Sequence, residues 1–170
     1  MKPRWYLVLL LLLIPVQAGL FNPLAMGGIK PDLGLAVIYI IGLLTGPTEA
    51  TLAGMGIGLI LDIGSAGFIG FTGITRGLVG LFAGLLGTRV LDVGSPSNGI
   101  FLTAFSLLEG LCIALFLQVY SGSVPFFSLF TARLIPQALY TGLLGVVLLH
   151  FISTRNIIPV LRRTGAPKEF

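Results

Sequence analysis

Charge is what this sequence lacks most. Of 170 residues, ten are Lys or Arg and six are Asp or Glu, or 9% of the chain, where a soluble domain carries about a quarter. So few charges cannot cover a water-facing surface of this length. Cysteine is nearly absent too. Cys112 is the single one, and it sits in an apolar run, which excludes an internal disulfide framework and a CxxC metal site. The single histidine, His150, has no ligand partners beside it. There is no G-x-S-x-G, no H-E-x-x-H and no phosphate-binding loop. These absences argue against an enzyme and imply no cofactor and no metal. The formal net charge of +4 and the pI near 9.6 do not point to nucleic acid, because the basic residues punctuate apolar segments and form no basic face. Anionic lipid headgroups are the expected counter-surface.

What is present is apolar sequence, 55% of the chain with a mean hydropathy of +1.04. It divides into six stretches, at about 5–20, 31–45, 47–63, 67–87, 96–119 and 126–153, followed by a basic tail over 154–170. The expectation is an all-α integral membrane protein, a single membrane domain over 1–170 built as a bundle of six transmembrane helices. Pro31, Pro47 and Pro96 suit the first turn of a helix, where the missing N–H costs nothing. Segments two and three are short. They reach only about 22–26 Å at the helical rise, and a re-entrant hairpin is the alternative for this pair. With the N-terminus inside, Lys2, Arg4, Arg89, Arg155, Arg162, Arg163 and Lys168 fall on the cytoplasmic side and only Lys30 on the outer side. That bias predicts both termini inside. The first segment also resembles a cleavable signal around "PVQAG", although retention fits a multispanning chain better.

Glycines at 70, 73, 77, 80, 84 and 87 step by 3, 4, 3, 4, 3 along the fourth segment. Small residues at heptad spacing let two helix backbones approach closely in lipid. Gly54 and Gly58 of the third segment form a shorter GxxxG that could face this stripe. Packing inside the bundle is the weightier expectation. The functional one is a groove for a partner's helix along Gly70, Gly73, Gly77, Gly80 and Gly84.

Ionisable residues inside spans are expensive, so they are expected to be paired or to line a cavity. Under the proposed topology Asp62 lies at the outer end of segment three. Arg76 lies about 13 Å into segment four, Glu109 about 15 Å below the outer end of segment five, and Arg133 roughly 10 Å into segment six. Four spans thus contribute two acids and two bases to the outer half. Arg133, Gln137 and Tyr140 share a helical face, and Gln17 adds an amide at similar depth. A neutral network is expected, with Asp62 and Glu109 answering Arg76 and Arg133. The competing expectation is that the arginines snorkel and Asp62 only caps a helix end.

The region from Lys30 to Gly84 resembles the bacterial rod shape-determining MreD family. The marks are Pro31-Asp32-Leu33 opening a span, the Gly46-Pro47 turn, the "GxGLxxD" run of Gly56, Gly58, Leu59 and Asp62, and the glycine-rich helix after it. The motif covers about a third of the chain. The resemblance implies a fold related to the S components of energy-coupling-factor transporters and a non-enzymatic scaffold in the bacterial inner membrane. It also implies binding to MreC, with the MreB filament, the RodA glycosyltransferase and a class B penicillin-binding protein in the same cell-wall elongation complex. The tail with Arg155, Arg162 and Arg163 would then lie at the cytoplasmic face against anionic lipid. An S component with a vitamin pocket in the outer-half cluster is the rival. The first span, "WYLVLLLLLIPVQAG", lacks the small-residue spacing such a subunit would use for docking. A channel built on the charged quartet ranks below both.

Overall fold

The computed structural model describes residues 29–64, 70–89, 95–121 and 126–154. The first segment, with Gln17, and the tail with Arg155, Arg162 and Arg163 lie outside the described residues. The architecture is all-helical. Helix α1 spans Leu33–Thr45, α2 Pro47–Gly64, α3 Phe71–Arg89 and α4 Ser97–Ser121. A single helical turn, α5 (Phe126–Leu129), continues through a π turn (Phe130–Leu134) into α6 (Ile135–Thr154).

Helix α1 is the centre. Its sequence is apolar on every side, and a helix of that kind must be surrounded. Leu35, Ala36, Ile38 and Tyr39 are fully buried. The core joins Leu35, Tyr39, Ile40 and Leu43 of α1 to Val79 and Ala83 of α3, Leu102 of α4 and Leu149 of α6. The N-terminus of α1 is fixed by Asp32, whose carboxylate accepts from the Leu35 N–H at 2.9 Å, satisfying one of the helix's free donors. The Asp32 N–H donates to Thr141 Oγ1 at 3.0 Å, tying α1 to α6. Deeper in, the Tyr39 hydroxyl donates to Asn98 Oδ1 at 3.1 Å, tying α1 to α4. At its far end α1 stops at Gly46, with φ 107°, and Pro47 opens α2 at once.

Helices α2 and α3 pack antiparallel, and glycine sets their separation. A Cβ on Gly58 would stand 2.5 Å from the Gly73 Cα, and one on Gly77 2.7 Å from the Met55 Cγ. Gly54 faces the Arg76 backbone, Gly80 faces Ala50, and Gly84 faces Pro47. Helix α1 runs parallel to α3 on its other side, where a Cβ on Gly42 would meet the Gly84 nitrogen at 2.8 Å.

The π turn has a cause in the sequence. Pro136 has no N–H to give the turn before it, and its ring crowds the carbonyl four residues earlier. The Ile135 N–H reaches back to the Phe130 carbonyl instead, which widens the helix by one residue.

Among the described residues, two helices are long and apolar enough to cross a membrane. These are Ser97–Tyr120, with mean hydropathy 2.3, and Phe127–Ser153, with 1.7. Little of either is buried, 22% and 28% of the most apolar window, so neither is the enclosed core helix of a soluble protein. Burial across the bundle points the same way. Ile63, Ile100, Val119 and Phe127 are each more than 70% exposed, while Asp62, Arg76 and Glu109 are each less than 7% exposed. That inverts the usual distribution for a protein in water.

Candidate functional site

Arg76 sits in the second turn of α3 and is buried. Its Nε donates to Glu109 Oε1 at 2.8 Å, and its Nη2 donates to Asp32 Oδ2. One guanidinium therefore clamps three helices, α1, α3 and α4. The approach needs space that Gly34 provides, because a Cβ there would run into Arg76 Nη1. Away from water such pairs stand only when their geometry is good and their remaining hydrogen bonds are met. Nε and Nη2 are each engaged, while Nη1 is buried without a hydrogen-bond partner. The clamp unites two carboxylates with one guanidinium, so it carries a formal charge of −1.

Beside the clamp lies a half-open cavity of about 240 Å³. Asp32, Arg76, Ser106 and Glu109 line one part, Arg133 and Gln137 another, and the rest is apolar, with Ile113, Leu117, Leu129 and Leu134. Arg133 is carried by the π turn and is exposed. Among the described residues it makes no ion pair. Its guanidinium balances the clamp's charge across the cavity, so the lining as a whole is formally neutral.

The expected quartet is therefore partly reassembled. Arg76, Glu109, Arg133 and Gln137 do line one cavity. The partner of Glu109 is Arg76 and not Arg133, and the second acid on Arg76 is Asp32, which entered the sequence analysis only as part of a helix-opening motif. Asp62 accepts from the backbone N–H groups of Gly70 at 2.8 Å and Gly73 at 3.3 Å. It is a carboxylate set on the N-terminus of α3, where the unsatisfied donors and the helix dipole favour an anion. This is the capping role first set against the ionic one. Tyr140 is half-buried on α6, one turn beyond the residues that line the cavity.

The glycine stripe is filled from within the chain. Gly73, Gly77, Gly80 and Gly84 all face α2, so the groove expected for a partner's helix is occupied. Gly70 is not in that seam. It has φ 105° and open space around it, and it starts α3 in a conformation that suits glycine.

Chemically the site holds charge in place. Arg76 engages one oxygen of each carboxylate of the clamp. The hydroxyl of Ser106 lines the cavity without a histidine beside it. The polar side chains other than the clamp's own bonds remain open to whatever fills the space. No protein-family model, no curated protein and no solved structure matches this chain.

Proposed function

We propose that this chain is a non-enzymatic membrane scaffold of the bacterial cell-wall elongation complex, similar to the MreD family. In this reading six helices span the inner membrane, both termini are cytoplasmic, and the chain holds MreC in a complex with RodA, a class B penicillin-binding protein and MreB. The observation that supports it best is the use made of the residues carrying the resemblance. Asp32 of the Pro31-Asp32-Leu33 motif caps α1 and clamps Arg76. Gly58 and Asp62 of the "GxGLxxD" run seat and cap α3. These residues hold a frame together, as a scaffold requires. The partner's helix would then lie on an exposed apolar face, since the glycine seam is taken.

A specific observation also favours the transporter S-component reading, namely the half-open polar cavity beside the clamp. Mass spectrometry of proteins retained on the full chain, purified from gently solubilised native membranes, separates the two. The scaffold reading expects a single-span protein with an extracytoplasmic coiled coil. Recovery of paired ATPases with a membrane coupling subunit would overturn it.

A further inference from the structure

Glu109 is more than nine-tenths buried and lines the cavity. One of its oxygens is held by Arg76, and the other accepts no hydrogen bond among the described residues. Across the same cavity Arg133 donates no hydrogen bond to any described residue, and the side chains of Ser106 and Gln137 are equally unengaged. A buried polar group left unmatched is costly; Arg76 Nη1 is such a group, and Arg76 lines this cavity together with Glu109, the half-buried Ser106 and Gln137, and the exposed Arg133. The charges decide what fits. An anion alone would suit Arg133 but would face the open oxygen of Glu109 and the net negative clamp. A cation alone would suit the clamp but be repelled by Arg133. A ligand carrying both charges answers both.

We propose that the cavity binds a zwitterion made of an ammonium and a phosphate, with the ammonium on Glu109 and Ser106 and the phosphate on Arg133 and Gln137. The source that fits the rest of the lining is the headgroup of a membrane lipid of the phosphatidylethanolamine type. The polar residues receive the head, and Leu117 and Leu129, which share the cavity and lie on helices with exposed apolar faces, receive the start of the acyl chains. This inference goes beyond the scaffold role and depends on the membrane location alone.

The test is native mass spectrometry of the full chain in detergent, delipidated and then titrated with phosphatidylethanolamine or phosphatidylglycerol of identical acyl chains. The ethanolamine lipid is expected to be retained about tenfold better, the worth of one charge-assisted hydrogen bond. Arg133→Gln, on the phosphate that both lipids carry, should weaken the retention of both, and Ser106→Ala, on the ammonium, should weaken the preference while leaving the clamp intact. Each variant is checked for an unchanged gel-filtration profile. Equal retention of the two lipids would overturn the proposal, as would a preference unaltered by Ser106→Ala or lipid retention undiminished by Arg133→Gln. Displacement of the lipid by glycerophosphoethanolamine at equal concentration would keep the zwitterion site and assign it to a soluble ligand instead.

Discussion

At the scale of single residues, Asp32 and Arg76 carry unequal loads. Asp32 supplies a helix cap and one half of an ion pair, while Glu109 remains on Arg76 if Asp32 is neutralised. Asp32→Asn keeps a capping side chain and leaves a neutral Arg76–Glu109 pair, so it should be mild. Asp32→Ala also loses the cap, a further cost of about 1 kcal/mol. Arg76→Leu leaves the buried Glu109 and the half-buried Asp32 carboxylates without a cation and should cost about 3–5 kcal/mol. Thermal unfolding midpoints in detergent should fall in that order, and a native-like midpoint for Arg76→Leu would show that the clamp bears no load. Arg76 and Glu109 were legible in the sequence because a charge within an apolar run is rare and needs an answer. The pairing was not legible. Asp32 stands just before its helix, where an acid is expected for capping alone, and depth along a span does not tell which faces meet. For Asp62 a paired role and a capping role were both open, because the donors that cap with it, the N–H groups of Gly70 and Gly73, are backbone groups that no sequence pattern marks.

At the scale of elements, glycine acts in two distinct ways, and substitution separates them. Gly46 ends α1 at positive φ with nothing within 4 Å of a Cβ, so Gly46→Ala meets only backbone strain, about 1 kcal/mol. Gly84 lies against the backbone of Pro47, where no side chain can move aside. Gly84→Ala should therefore force α2 and α3 apart and cost several times more, as overpacking does. Urea or thermal unfolding of the two variants checks this, and equal effects would place the α2–α3 seam elsewhere. The helices themselves could be read from the chain. The expected segments at 31–45 and 47–63 match α1 and α2 within two residues at each end, because proline and glycine mark both limits. The 3–4 glycine spacing likewise identified a seam, with Gly54 and Gly58 opposite it. The π turn was not foreseen. It lies before both Gln137 and Tyr140, and of Arg133, Gln137 and Tyr140 the first two line the cavity.

At the scale of the whole molecule, the exposed surface is the feature that matters. Leu139, Leu143, Val147 and Phe151 form an exposed stripe down α6, with no polar face opposite to explain them as chance surface residues. In water Leu143→Lys would be nearly neutral, within about 0.5 kcal/mol. In a bilayer the same change should cost on the order of 3 kcal/mol and deplete the folded protein recovered from membranes. Quantifying that protein by fluorescence-detected gel filtration tests the membrane assignment directly, and undiminished recovery of the variant would refute it. The two halves of the bundle, α1–α3 and α4–α6, meet mainly through α1, with Thr141, Asn98 and Glu109 reaching across.

The clamp also bears on how such a chain is made. Asp32 leaves the ribosome 44 residues ahead of Arg76, and Glu109 follows 33 residues later. The first ion pair thus needs only α1 and α3, so the arginine meets a carboxylate already waiting when it is handed to the lipid. Glu109 arrives last, on the helix that joins the second half to the first. The order of synthesis delivers each buried charge to a partner already in place.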